Sequence, residues 1–136
     1  MPLKKGIKQL IAEAESRSKG IRPDAAHSAV HDPNTVFVDL RDVRELERDG
    51  MIPGAFHAPR GMLEFWVDPD SPYYKPVFAE GKRLILYCAA DWRGVLSAAT
   101  LEEMGVPNVF HLEGGLGAWK KAGLPTAAKP AKEAKS

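Results

Sequence analysis

The sequence contains a single cysteine, Cys88, and lacks the features that several classes of protein require. One cysteine excludes an internal disulfide and any multi-cysteine metal site, and it is compatible with a reducing compartment. Basic and acidic side chains nearly balance, at 19 against 18, which argues against a broad nucleic-acid or membrane surface. No apolar stretch approaches the length of a transmembrane helix, and the N-terminus lacks a signal-peptide pattern. We therefore expect a cytoplasmic protein that binds neither nucleic acid nor membrane.

A length of 136 residues suits one domain with a single core. Residues 1–19 are predicted to form an N-terminal extension, because apolar residues between positions 7 and 14 recur at helical spacing and indicate an amphipathic helix over residues 4–18. The main domain is expected over residues 20–125. From Thr126 to Ser136 the Ala- and Lys-rich composition predicts a disordered, solvated tail.

Within the main domain, short apolar runs alternate with segments of helical pattern. The runs at residues 35–39, 84–87 and 108–112 are bounded by turn residues and are typical of strands. Helical segments are predicted at residues 25–30, 44–49, 95–104 and from Gly115 onward, and residues 65–78 are predicted as an irregular excursion. This order predicts an α/β domain of three layers, with a small, largely parallel central sheet flanked by helices.

The lone cysteine follows the run at residues 84–87 and precedes a predicted helix. In parallel sheets ligands bind beyond the carboxyl ends of the strands, where Asp39, Cys88 and Glu113 all fall. A helix N-terminus offers unpaired N–H groups that favour a thiolate, and Arg93 adds a fixed cation five residues later. The alternative is a packing role, since a free cysteine is among the most buried residue types. The polar loop at residues 91–93 indicates a surface position and keeps the reactive role open.

Four motifs follow one another along residues 20–125, at residues 38–42, 50–55, 88–93 and 109–115 with Trp119. Together they resemble the rhodanese-like (sulfurtransferase) domain family. Residues 38–42 are similar to the family's Asp-Val-Arg-Glu segment, and residues 50–55 to its Gly-His-Ile-Pro-Gly-Ala segment. Residues 88–93 align with the active-site loop, and residues 109–115 with Trp119 resemble the C-terminal Gly-Gly…Trp signature. Four motifs at matching spacing are more specific than any one of them.

The resemblance implies that Cys88 takes a sulfane sulfur from a donor such as thiosulfate, forms a persulfide, and passes the sulfur to cyanide or a thiol. A protein acceptor is also possible, and no metal or organic cofactor is implied. The loop residues are implied to bind the substrate; they are Ala89, Ala90, Asp91, Trp92, Arg93 and Gly94. The Arg93 guanidinium would suit a sulfonate, because its fork of donors matches such oxygens.

Loop length and three departures from the family pattern bear on the substrate. Four residues separate Cys88 from Arg93, whereas related phosphatases and arsenate reductases are expected to have five, so sulfur transfer is favoured over phosphate hydrolysis. Asp91 stands where many members have Gly, and Asp tolerates a positive φ better than most residues. An inward carboxylate would oppose an anionic donor, so we favour an outward one that caps the following helix. Gly94 replaces a frequent Ser, and Met51 replaces the usual His. These changes leave the donor open.

The remaining polar residues are given supporting roles. Asp39 and Arg41 are predicted to tie the end of a strand to the loop. The four histidines lack metal-ligand spacing, and we assign none of them to catalysis: His27, His31, His57 and His111. Trp92 is a candidate wall of the pocket. The alternative to a sulfurtransferase is a non-catalytic rhodanese-like module that binds a partner or senses oxidants.

Overall fold

The computed structural model describes residues 2–130 and contains a five-stranded, fully parallel sheet. The spatial order of the strands is β1-β5-β4-β2-β3. The strands are β1 Gly20–Ile21, β2 Thr35–Asp39, β3 Phe56–His57, β4 Arg83–Tyr87 and β5 Val109–Leu112. The helices are α1 Ile7–Ser16, α2 Pro23–His27, α3 Val43–Asp49, α4 Leu63–Val67, α5 Trp92–Met104 and α6 Gly115–Lys121. The predicted α/β class with a parallel central sheet is confirmed.

The two central strands bring the key sequence segments to one edge of the sheet. β2 and β4 pair in register over their full length, from Thr35 opposite Arg83 to Asp39 opposite Tyr87. Because parallel strands end at the same edge, the residues after Asp39 and the residues after Tyr87 are neighbours. The cysteine loop therefore lies beside the beginning of α3.

Alternating strand residues fill two cores on opposite faces of the sheet, as the strand period of two requires. One core contains Val38, Leu84 and Leu86 with Ala98 and Leu101 of α5. The other contains Phe37, Ile85 and Tyr87 with Leu116 and Trp119 of α6. Helices thus cover both faces of the sheet, giving the predicted three layers.

Helix α1 packs outside α5 rather than on the sheet. Ile11 and Ala14 are buried against Val95 and Ala99 of α5. The predicted extension at residues 1–19 therefore contributes a small core of its own, which fixes the outer face of the helix that follows the cysteine loop.

Two differences from the sequence-based expectations are informative. Strand β1 was not predicted, because two residues are too few to show a period. Ala127, placed by its composition in a solvated tail, forms an antiparallel bridge with Met51 through two hydrogen bonds of 2.8 Å. The rest of the predicted tail at residues 131–136 lies outside the described residues. Within the described part of the chain, no helix is long and apolar enough to cross a membrane.

Candidate active site

Cys88 lies at the carboxyl end of β4, and its side chain is nearly inaccessible, at 2% exposed. Its Sγ accepts a hydrogen bond from the backbone N–H of Asp91 at 3.1 Å. The Cys88 carbonyl accepts from Leu116 N–H at 2.8 Å, and the Ala89 carbonyl accepts from Gly117 N–H at 2.9 Å. Helix α6 therefore holds the start of the loop, while the loop turns back on the sulfur.

Gly115 permits this close contact between α6 and the loop. A Cβ at this position would lie 2.5 Å from the Cys88 carbonyl oxygen and 2.8 Å from the Ala89 carbonyl carbon. Gly115 also has a φ of 61°, a conformation that is unfavourable for residues with a Cβ. The second glycine of the Gly-Gly pair is therefore required by the position of the cysteine loop.

Arg93, at the other end of the loop, is held by Glu45 of α3. Arg93 Nη1 donates to Glu45 Oε1 at 2.8 Å, and Nη2 donates to Oε2 at 3.0 Å. These hydrogen bonds raise the pKa of Arg93; burial opposes the change, and the charge of Cys88 adds to it. The same pairing lowers the pKa of Glu45 to about 2. The pair places a fixed cation close enough to Cys88 for their charges to interact.

A capping box at the start of α3 positions Glu45. The Asp42 side chain accepts from the N–H groups of Arg44 and Glu45, and Glu45 Oε1 accepts from Asp42 N–H at 3.1 Å. Sequence reasoning overlooked Glu45, although the Asp-x-x-Glu spacing before an apolar position is a recognised helix-start pattern. That pattern locates the helix, and only packing shows that Glu45 meets Arg93.

The Asp91 side chain does not cap α5, contrary to expectation. Its φ is 136°, whereas the capping Asp42 has an extended backbone with φ −79° and ψ 165°. In this conformation the Asp91 carboxylate accepts no hydrogen bond from the first turn of α5 and is directed at β5. There Oδ1 accepts from His111 Nδ1 at 2.9 Å, and Oδ2 lies 3.4 Å from the N–H of Gly114.

Gly94 is buried in the first turn of α5, beside this carboxylate. A Cβ there would lie 3.2 Å from Asp91 Oδ1 and 3.4 Å from the Leu86 carbonyl oxygen. The glycine that replaces the frequent serine therefore accommodates the inward turn of Asp91.

Asp39 and Arg41 form a fully buried ion pair at the end of β2. Asp39 Oδ1 accepts from both the backbone N–H and the Nε of Arg41, each at 3.0 Å. Arg41 Nη2 donates to Asp39 Oδ2 at 2.8 Å and to the Gly50 carbonyl at 2.6 Å. Burial lowers the pKa of Arg41, but the bonds and charge of Asp39 outweigh it and raise the pKa. Burial, followed by the Asp39 charge, also raises the pKa of Tyr87, whose hydroxyl accepts from Ile52 N–H. These contacts join β2, β4 and the segment after α3.

The remaining loop residues lie at the surface. Ala89, Ala90 and Trp92 are exposed, with Trp92 at 51%, so the indole stands at the rim of the site. His57 binds the Arg41 carbonyl. No group of three or more His, Cys, Asp and Glu side chains suited to a metal occurs among residues 2–130.

Among the described residues, cavities flank the fold at two places of interest. A cavity of about 140 Å³ adjoins the loop and is lined by Arg41, Asp49, Ala89, Leu116, Gly117 and Lys120. A larger one of about 510 Å³ lies at the end of α5, among residues such as Val67, Phe78 and Val106. A helix of 13 residues is about 20 Å long, so this larger cavity lies far from the thiol.

Together the fold and the site define an α/β domain that presents one cysteine in a short loop at the carboxyl edge of a parallel sheet. The model of the rhodanese-like domain matches residues 22–122, which is most of the chain. The protein belongs to the rhodanese-like domain family. The family and its sulfurtransferase members support sulfur transfer as the general chemistry.

Several known proteins are similar to this chain. One solved structure is that of a protein of unknown function from Rhodopseudomonas palustris, described as a possible tyrosine phosphatase. Its sequence is 46% identical to this chain, and its structure matches with a TM-score of 0.90. The match covers 93% of this chain and 98% of that one. An uncharacterised protein from Synechocystis is 33% identical over 85% of this chain and 60% of its own length. A sulfurtransferase from Allochromatium vinosum is 28% identical over 70% of this chain and 80% of its own length.

The chain also matches part of some longer proteins. A tRNA uridine(34) hydroxylase from Yersinia enterocolitica is 30% identical over 77% of this chain, but the match covers only 30% of that protein. The chain thus spans less than two thirds of this relative and of the Synechocystis relative.

Proposed function

We propose that this protein is a sulfurtransferase that carries sulfane sulfur on Cys88, with thiosulfate as a competent donor and cyanide or a thiol as acceptor. The observation that carries the proposal is the Asp91 N–H at 3.1 Å from the Cys88 sulfur, in a loop that ends at the fixed cation Arg93. A free thiol that must stay reduced also suits work in the cytoplasm.

In the first step the Cys88 thiolate attacks the outer sulfur of thiosulfate. A new bond forms between Sγ and that sulfur, the bond between the two sulfurs of thiosulfate breaks, and its electron pair leaves with sulfite. The product is an anionic persulfide on Cys88. The Asp91 N–H and Arg93 stabilise negative charge on this persulfide, as donors fixed in advance do for a developing anion.

In the second step the acceptor attacks the terminal sulfur of the persulfide. Cyanide gives thiocyanate, and a thiolate gives a new persulfide; in both cases the electron pair of the broken sulfur–sulfur bond returns to Cys88 as a thiolate. No net oxidant or reductant is consumed.

Two N–H groups of the Arg93 guanidinium bind Glu45, and a guanidinium has five. The remaining N–H groups are free to face the sulfur or the sulfonate of the donor. Because Glu45 neutralises part of the cation, we propose that Arg93 acts mainly by orientation. Asp39 and Arg41 have an indirect role, since their buried pair fixes the end of β2, the strand next to the one that precedes the cysteine loop.

The test is to incubate the reduced protein with thiosulfate and follow its intact mass, alongside Cys88→Ser. We expect the wild type to gain one sulfur atom and to lose it when cyanide is added, and the variant to gain none. Absence of any gain at high thiosulfate would reject thiosulfate as donor, and a persulfide or mercaptopyruvate would be tried next. Absence of a gain with all donors would leave the binding or redox-sensing module as the better description.

Phosphate hydrolysis is the competing activity, because the similar Rhodopseudomonas palustris protein is described as a possible tyrosine phosphatase. The four-residue spacing between Cys88 and Arg93 favours the smaller sulfur atom over a tetrahedral phosphate. Incubation with p-nitrophenyl phosphate under the same conditions should release no nitrophenol above the Cys88→Ser background.

A further inference from the structure

We propose that His111 is a positioning residue for Cys88. Its ring holds the Asp91 carboxylate against β5, and this tether keeps the Asp91 backbone N–H directed at the Cys88 sulfur. The role in sulfur transfer rests on the proposed function, whereas the effect on the thiol can be measured without it.

The backbone at Asp91 needs such a tether. Asp91 has a φ of 136° and a ψ of −29°, a region that residues with a Cβ rarely adopt unless their surroundings hold them there. The same residue supplies the backbone N–H that bonds the sulfur, at 3.1 Å. If Asp91 relaxed to an ordinary φ, the direction of that N–H would change.

The carboxylate is held on separate sides by three parts of the fold. His111 Nδ1 lies 2.9 Å from Oδ1, and the N–H of Gly114, in the turn before α6, lies 3.4 Å from Oδ2. From α5, Gly94 approaches so closely that a Cβ would come within 3.2 Å of Oδ1. The hydrogen bond with His111 is shorter than the one with Gly114, and its partner is a side chain rather than the backbone.

His111 is itself well fixed. It is 6% exposed, its backbone N–H donates to the Lys19 carbonyl at 2.9 Å, and it pairs in register with Leu86 on β4. Leu86 is two residues before Cys88, which directly follows β4. The histidine therefore stands on β5 and the cysteine just beyond the end of the adjacent strand β4, and Asp91 spans the gap between them.

The arrangement also explains how the loop accommodates an aspartate. A glycine at this position would adopt a positive φ without a side-chain contact. Asp91 adopts it with its carboxylate hydrogen-bonded to His111 on β5. The pair His111 and Asp91 is thus a unit, and its two members should show strong coupling when they are changed together.

The experiment measures the rate of alkylation of the single cysteine by iodoacetamide, together with sulfur gain from thiosulfate. We expect His111→Phe to slow alkylation about tenfold at about pH 7. Without the tether to His111, the Asp91 N–H is no longer directed at the Cys88 sulfur, and the thiolate loses one hydrogen bond to its charge. At about pH 10, where a thiol ionises without help, the rate should return to within about twofold of the wild type. His111→Asn, which keeps an N–H donor near the Nδ1 position, should recover much of the rate, and the exposed His31→Phe is the matched control.

The Asp91→Gly background tests the tether itself. There, adding His111→Phe should change the alkylation rate by less than about twofold, because no carboxylate remains to be held. Equal slowing in both backgrounds, or wild-type alkylation by His111→Phe alone, would overturn the proposal.

A further pair of variants applies even if His111→Phe does not fold. Asp91→Ala lacks the tether but retains a Cβ, so it should react more slowly than Asp91→Gly; equal rates would overturn the proposal. If the alkylation results are as expected while no protein gains sulfur from any donor, the positioning role stands and the proposed sulfur transfer fails.

Discussion

Glu45 and Arg93 bind each other through both oxygens and two nitrogens, at 2.8 and 3.0 Å, although they are 48 positions apart in the chain. This pair connects the start of α3 to the start of α5. Since α3 begins just after β2 and α5 begins within the cysteine loop after β4, the contact links the two helices that follow neighbouring strand ends. It also fixes the Arg93 cation at the end of the cysteine loop.

Replacement of Glu45 by Gln should slow persulfide formation from thiosulfate by about tenfold, because Arg93 loses a bidentate partner and its orientation. The rate of sulfur gain by intact mass measures this. Glu47→Gln, an exposed change on the same helix, is the control and should react like the wild type. An unchanged rate in Glu45→Gln would show that Arg93 is not oriented by this carboxylate.

The Glu45 pair should make part of the stability depend on pH. The pKa of the Glu45 carboxyl falls from 4.5 to about 2 on folding. The ionised form therefore stabilises the fold above pH 4.5, and this contribution is lost as the pH falls toward 2. With Arg93 partly exposed, we expect about 1 to 2 kcal/mol at neutral pH. Urea unfolding of the wild type and Glu45→Gln should give free energies of unfolding that differ near neutrality and converge with acid. A constant difference would contradict the assignment.

Replacement of Gly115 by Ala should destabilise the protein by about 3 kcal/mol, because the new Cβ meets the Cys88 carbonyl and the positive φ is disfavoured. Chemical denaturation gives the change. Gly61→Ala is the matched control, since a Cβ at Gly61 meets nothing within 4 Å. If both variants were equally stable, the close approach of α6 to the loop would not hold in solution.

Arg41→Met should lower the free energy of unfolding by about 3 to 5 kcal/mol, because it leaves the buried Asp39 carboxylate without its partner. Arg48→Met removes an exposed partner of Asp49 instead and should leave the stability almost unchanged. Denaturant midpoints of the two variants provide the comparison. Similar midpoints would mean that the Asp39 pair contributes no more than a surface pair.

Shortening the chain tests the contact between Met51 and Ala127. A chain ending at residue 125 loses both bridge hydrogen bonds and should be less stable by about 1 to 2 kcal/mol than one ending at residue 130. The Trp119 Nε1 bond to the Pro125 carbonyl is kept in both. Equal melting temperatures would show that the bridge adds nothing, and the chain ending at residue 130 compared with the full chain is the control.

Much of the fold was predictable because it depends on local patterns. The strands at Thr35–Asp39 and Arg83–Tyr87 contain continuous apolar runs at residues 36–38 and 84–87, which is typical of a strand buried on both faces. The start of α5 was placed three residues too late, since Trp92 and Arg93 carry no apolar period although they occupy its first turn. The strand Gly20–Ile21 was missed because its pairing with β5, rather than its composition, makes it a strand.

The candidate site was predictable only in part, for a related reason. Cys88 and Arg93 are joined by a short loop, so the sequence alone places them together and identifies both as candidates. Their partners lie on other elements: Glu45 is on α3 and His111 is on β5. Each of those pairings depends on how far two elements are apart and how they are rotated, and neither quantity is present in a local pattern.

The sequence by itself determined the parallel α/β class, the edge of the sheet that carries the site, and the cysteine that serves as its candidate nucleophile. These follow from the order of strands and helices and from the scarcity of cysteine. Only the tertiary structure decided where the charges point. Asp91 could have capped its own helix, but its positive φ and the buried His111 on the next strand turn the carboxylate inward to β5. Long-range packing selected between two local conformations that the sequence alone left open.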